Sequence, residues 1–318
     1  SRGRLSARTM RQGIEVKRFS KKGLFIIDMT RLARILKHAG ITTLLINYPN
    51  DLRLAAAAAR LAGVRRVIFR QGTISYIRPN LLNQFVLHYF VDTVVTNSQA
   101  NRRKMLREKG KLFSPESTRV IYNGIDLSRK KFDGSHLSNI RNNGELMVGL
   151  ISSDLNPSGI RQLLEVIRRE QDHPGDIRLL IHGDLRSARE IKQRLKRASS
   201  LQKLVEWDSG SLNLMEFMSH IDVFLTGRVR DGFNYPLVYA MIQNKPVIGF
   251  NEGSNPEIIR DEQNGYLLRK DDFQGIAIKL KELRDENLRK RLGSEARQVI
   301  EKQFNIERTI DQLKELLR

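Results

Sequence analysis

The chain has 318 residues, 40% of them hydrophobic and 29% charged, which is room for two domains with a core each. It has no cysteine, which excludes disulfides and thiolate metal sites and fits a reducing compartment, and no apolar run reaches the ~20 residues of a bilayer span. The net charge of +21 is lopsided: residues 1–140 hold 27 Lys and Arg against 8 Asp and Glu, and residues 141–318 hold 29 against 27.

Taken in order, residues 4–12 read as a short helix and I-E-V-K-R-F (14–19) as a strand. Apolar residues at helical spacing predict a helix over 27–38, with Gly40 as its stop. A strand at 42–48, an alanine-rich helix at 52–61 and a strand at 65–70 follow. After the basic loop R-Q-G-T-I-S-Y-I-R-P come a helix (81–90), a strand (92–98), a helix (99–108) and R-V-I-Y-N-G-I-D. The charge balance shifts near Gly144. Beyond it, L-M-V-G-L-I-S is a strand, followed by S-D-L-N-P-S-G-I and a helix at 161–170. Then come the strand I-R-L-L-I-H-G-D (177–184), a helix at 187–198, the strand K-L-V-E-W, a short helix at 215–220 and three closing helices (271–284, 286–302, 304–317). Strands alternating with helices predict parallel sheets.

The densest stretch is 221–259. I-D-V-F-L is a buried strand that runs into Gly227, and D-G-F-N-Y-P feeds a helix through Pro236. P-V-I-G-F is the next buried strand, and in G-S-N-P-E either Ser254 or Asn255 caps another helix start with Glu257 in its first turn. Two strand-to-helix turns therefore stand side by side where open α/β sheets bind ligands, and their N–H groups suit an anion.

This stretch resembles the donor region of the two-domain (GT-B) glycosyltransferases, particularly the retaining family four enzymes of lipopolysaccharide and capsule synthesis. D-G-F-N-Y-P-L-V-Y-A-M-I-Q-N-K-P-V-I, then G-S-N-P-E and Asn264-Gly265, match the family series E-G-F-G-x-P-x-x-E-A-M-A-x-G-x-P-V-I, G-G-x-x-E and N-G in order and spacing. T-N-S-Q-A and V-I-Y-N-G-I-D resemble two steps of the family's first domain. The family's opening strand and glycine-rich turn have no counterpart, and the chain starts at a serine, so a processed or cut beginning is expected, with about five strands in the first sheet. The resemblance implies two Rossmann-like domains facing a cleft. The first, over 1–140, is basic and on the acceptor and membrane side; the second, over 145–303, is on the donor side. A last helix over 304–318 crosses back to the first.

The resemblance also assigns roles. Asp231, one methylene shorter than the family's glutamate, falls on the catalytic acidic position beside the donor sugar; a plain turn aspartate is the other reading. Gly232, Phe233, Asn234, Gly159, Gly183 and Glu257 fall on the donor side. The family's diphosphate-binding Arg and Lys fall on Ser153 and Ser158, and its ribose-binding Glu falls on Tyr239. Tyr239 reads equally as core, and Ser158 as a cap of the helix that follows. Arg228 and Arg230, two apart in an extended run, are expected to point one way and restore the lost charge on the diphosphate; two solvated arginines in a surface turn are the other reading. Arg70, Gly72 and Arg78 fall on the acceptor side, where the two arginines either touch acceptor phosphate or are simply solvated. The histidines (38, 88, 136, 173, 182, 220) show no metal-ligand spacing, so neither metal nor cofactor is expected, the nucleotide-sugar being the substrate.

The expected activity is metal-independent hexosyl transfer, with retention, from a nucleotide-sugar to a membrane-associated glycan or lipid-linked acceptor. The basic half would rest on an anionic membrane surface, at the cytoplasmic face of the inner membrane. A catalytically silent subunit that binds glycan or an active partner is the alternative. Nucleic acid is not expected, since no stacking series of aromatics is present.

Overall fold

The computed structural model describes residues 15–17, 19–20, 23–72, 77–127, 144–170, 172–173, 176–183, 185–196, 198–208, 210, 212–227 and 232–318. In the first sheet, β1 (Thr43–Ile46), β2 (Arg66–Gln71), β3 (Thr93–Thr96) and β4 (Thr118–Val120) lie in that order. Before and between them run α1 (Phe25–His38), α2 (Leu52–Leu61), α3 (Leu81–Tyr89) and α4 (Gln99–Lys109). β1 and β2 are parallel, with Leu45 opposite Ile68. Residues 15–17 and 19–20 form no strand, so this sheet has four strands among the described residues instead of about five. Alternation alone does not make a strand; it needs a neighbour to pair with and a face to bury. The helix expected over 4–12 lies outside the described residues.

The second sheet has six strands in the order β10-β9-β8-β5-β6-β7. They are β5 (Leu146–Ile151), β6 (Ile177–His182), β7 (Val205–Asp208), β8 (Val223–Thr226), β9 (Val247–Phe250) and β10 (Tyr266–Leu268), all parallel. From β5 the chain winds outward through β6 and β7, then returns to the other side of β5 with β8. That reversal between β5 and β8 is the topological switch point of a Rossmann sheet.

Period-two alternation divides the strand side chains between two cores. Leu146, Val148 and Leu150 of β5 join Leu179, Ile181, Val223 and Leu225 on one face, under α5 (Pro157–Glu170), α6 (Leu185–Leu195) and later α11 (Phe273–Glu282). Met147, Leu180, Phe224 and Val247 face the other way, against Phe217 of α8 (Leu214–Ser219) and Leu237, Val238 and Met241 of α9 (Tyr235–Ile242). Ala296 and Ile300 of α12 (Glu286–Gln303) close that side. With both faces covered, β5 and β8 read as unbroken apolar runs. Two short helices, α7 (Ser199–Gln202) and α10 (Asn255–Ile258), complete the domain. The last helix, α13 (Ile306–Leu317), starts where Asn305 bridges Ile125, and Thr309 Oγ1 donates to Tyr122 O at 2.9 Å.

By compactness the chain forms two units, 1–71, 77–94 and 111–117 in one, and 72–76, 95–110 and 118–318 in the other. Helix α4 and the 118–127 segment thus sit in the same unit as the six-stranded sheet.

Candidate functional site

The site grows from the carboxyl ends of β5, β8 and β9. Thr226, the last residue of β8, donates its hydroxyl to Asp154 Oδ2 at 3.1 Å, across the switch point. Gly227 follows, and its backbone lies so close to the Asp154 carbonyl that any Cβ there would overlap it, so only glycine lets the β5 turn and the β8 end meet. Asn234 caps α9 by accepting from Leu237 N at 3.1 Å. Its amide NH2 donates to Thr226 Oγ1 and to Asn255 Oδ1, both at 2.9 Å. Asn255 in turn donates to Phe250 O at 3.0 Å. One hydrogen-bonded line therefore runs from β9 through two buried amides and a hydroxyl to Asp154. Burial pushes the Asp154 carboxyl up to about 6, against hydrogen bonds from Thr226, the Gly227 N–H and Ser153 that favour its charged form. Beside this line, His182 at the end of β6 is 2.5 Å from Asp208 at the end of β7.

A second group gathers at Glu257 in α10. Its carboxylate accepts from Gln99 N (2.8 Å) and Ala100 N (2.5 Å), the first two N–H groups of α4, and from the Tyr122 hydroxyl (2.8 Å). Ser98 Oγ accepts from Asn101 N at 3.1 Å, so the first three donors of α4 are all met. Burial, then the Glu257 carboxylate, raises the Tyr122 hydroxyl above its ordinary range. Asn101 reaches out of α4 in two directions. It donates to Gly72 O at 3.1 Å and accepts from Gly232 N at 3.3 Å. Gly232 has φ +126°, a conformation open to glycine.

The predicted residues fall as follows. Asn234 lies inside the hydrogen-bonded line. Gly72 and Gly232 meet through Asn101, and the carboxylate oxygens of Glu257 are taken up at α4. Phe233 is buried, 5.6 Å from the Phe304 ring and 6.5 Å from that of Tyr122. Tyr239 is half-buried and packs on the second core. Gly183 lies against the Ser152 side chain. Ser153 and Ser158 are exposed, and Gly159 is buried in the first turn of α5. Ser158 does not cap that helix: it begins at Pro157, and Asn156 Oδ1 accepts from Gly159 N at 2.7 Å. Ser254 occupies the position before α10, but no side chain caps that helix. Arg70, one residue before the end of β2, is half-buried, and Arg78 is exposed before α3. Arg228, Arg230 and Asp231 lie outside the described residues. Asp154, Thr226, Asn255, Asn101 and Tyr122 were not anticipated as site residues. The one local signal among these five is Asn255 in G-S-N-P-E, a candidate helix cap.

Residues 145–286 match the family model of the group 1 glycosyl transferases, and residues 5–129 that of glycosyltransferase family 4. The capsular polysaccharide biosynthesis glycosyltransferase CapM of Staphylococcus aureus is 23% identical over 58% of this chain and 49% of its own. The N-acetyl-alpha-D-glucosaminyl L-malate synthase of Bacillus anthracis is 30% identical over 43% and 36%. The chain thus matches about half or less of the length of these relatives. A glycosyltransferase structure from Rickettsia africae ESF-5 superposes with a TM-score of 0.82 at 15% identity, over 99% of this chain and 87% of that one. Anabaena HepE in complex with UDP gives 0.80 at 20% identity, over 100% and 90%. The chain has the GT-B fold of two Rossmann-like α/β domains and is related to the group 1 and family 4 glycosyltransferases.

Proposed function

We propose that the protein transfers a sugar, with retention, from a nucleotide-sugar to a glycan or lipid-linked acceptor at an anionic membrane surface. The observation that supports this best is the hydrogen-bonded line at the switch point, which ties the turns after β5, β8 and β9 into one rigid rim where Rossmann sheets take nucleotides. The bond between the anomeric carbon and the donor phosphate oxygen breaks, the acceptor oxygen bonds to that carbon on the same face, and the acceptor's hydroxyl proton passes to the departing phosphate oxygen. Arg228 and Arg230 are proposed to hold the departing diphosphate, and Asp231 to stand beside the sugar as positive charge develops on it. No metal is invoked. Arg70 and Arg78 are proposed for the acceptor side, and the basic residues 1–140 for the cytoplasmic face of the membrane.

Ser153 and Ser158 support a second reading, a silent subunit that binds glycan or an active partner, because neither brings a cation to the place where the family has two. Calorimetry with UDP, GDP and their sugars separates the two. Saturable nucleotide binding with product formation supports the enzyme; a chain that binds no nucleotide is the silent subunit.

A further inference from the structure

The unit formed by residues 1–71, 77–94 and 111–117 carries 18 Lys and Arg against 5 Asp and Glu. Within it, α3 shows solvent a face that helices ordinarily bury. Leu81, Leu82, Phe85 and Tyr89 are 84%, 53%, 49% and 69% exposed. Leu81, Phe85 and Tyr89 succeed one another at i, i+4, so they form a single stripe, and the Phe85 and Tyr89 rings lie 4.9 Å apart. The packed face is the other one, where Asn83, Val86 and Leu87 are buried. No carboxylate lies on this helix. Its start is flanked by cations: Arg53 donates to Asn83 Oδ1 at 2.7 Å, and exposed Arg78 stands three residues ahead of Leu81. At nine residues, ~14 Å, α3 is far too short to span a bilayer, and no described helix is long and apolar enough to do so.

We infer that the α3 stripe is the surface by which this unit lies on an anionic lipid bilayer. Leu81, Leu82, Phe85 and Tyr89 enter the boundary between headgroups and acyl chains, and the arginines beside them meet lipid phosphates. Charge complementarity selects this occupant. A second copy seated on the same face would set one strongly basic unit against another, and an uncharged apolar partner would leave the cations unused. The inference rests on the membrane-side reading above and assigns it to particular side chains.

Co-sedimentation of the full chain with phosphatidylcholine vesicles, with and without phosphatidylglycerol, tests it. The parent should bind only the anionic vesicles, less so as salt rises. Leu81→Ser combined with Phe85→Ser should lower the partition coefficient about tenfold or more, since each buries a large apolar side chain. Lys290→Glu in the other unit should change it little. Leu81→Ser alone, at a position that packs on almost nothing, serves if the double variant melts early. If the parent binds anionic vesicles and the serine variants bind equally well, this surface is wrong while the membrane reading stands. A parent indifferent to anionic lipid overturns both, leaving the nucleotide tests untouched. A concentration-dependent dimer abolished by the same variants would show that a second copy covers the stripe.

Discussion

Around β5, β8 and β9 the chain gathers two buried amides, a buried hydroxyl and a half-buried carboxylate and satisfies them with one another. On α3 it leaves four large apolar side chains in water beside arginines. Each arrangement runs against ordinary partition, and each costs stability in its own way. A buried polar line is tolerable only when every member is paired, and then it is stiff. An exposed apolar stripe makes no demand on geometry and gains only when something covers it. The first suits a rim that must hold a ligand in one pose, the second a surface that needs only to adhere.

The sharpest way to break that contrast is to remove Glu257. Three donors, Gln99 N, Ala100 N and the Tyr122 hydroxyl, lose one acceptor group. Glu257→Ala should cost about 3 kcal/mol or more in urea unfolding, and Glu257→Gln, which keeps one oxygen, clearly less. Equal and small losses in both would mean that water replaces the carboxylate and that α4 is held elsewhere.

The nucleotide side comes next. Changing both Arg228 and Arg230 to Ala should weaken UDP or GDP binding by about 3 kcal/mol, at roughly 1.5–3 kcal/mol for each charged hydrogen bond. Asp231→Asn should spare nucleotide affinity and lower turnover. Undiminished affinity in the double variant would show that the charge missing at Ser153 and Ser158 is not restored from these arginines.

Asn234→Ala removes the cap on Leu237 N and both bonds of the amide NH2. A loss of about 2 kcal/mol is expected, and Asn234→Asp should not rescue it, because the carboxylate would face Asn255 Oδ1 without a proton to give. A neutral outcome at Asn234→Ala would mean that the rim is less stiff than its hydrogen bonds suggest.

Much of the architecture was legible because local pattern and tertiary burial agree. The expected helix at 52–61 forms as Leu52–Leu61, and L-M-V-G-L-I-S forms β5. Legibility failed where a partner decides. I-E-V-K-R-F alternates but its described residues join no sheet, whereas Y-L-L, too short to signal anything, becomes β10 because β9 offers an edge. At the site, the D-G-F-N-Y-P and S-N-P-E turns stood out, but not what they bind to. Thr226 and Asp154 are 72 residues apart, and Glu257 and Gln99 are 158 apart. Nothing in a local window distinguishes the Asn that spans two turns from one that only caps a helix.

The smallest effect is also the most specific to the rim. A carboxyl whose folded value rises from its ordinary 3.8 to about 6 favours its protonated form in the fold. The stability Asp154 contributes is therefore full below about pH 3.8 and is lost as pH climbs through about 6. The lift corresponds to at most ~3 kcal/mol, and the half-buried position reduces that to roughly 1–2 kcal/mol. Asp154→Asn keeps an oxygen to accept from Thr226 Oγ1 and carries no charge to desolvate. It should raise stability by about 1 kcal/mol at pH 7, leave it nearly unchanged at pH 4, and flatten the slope between. Urea midpoints at the two values check this. A variant less stable than the parent at pH 7 would mean that the ionised carboxylate is the form the rim requires, held by the Gly227 N–H and Thr226 more tightly than burial opposes it.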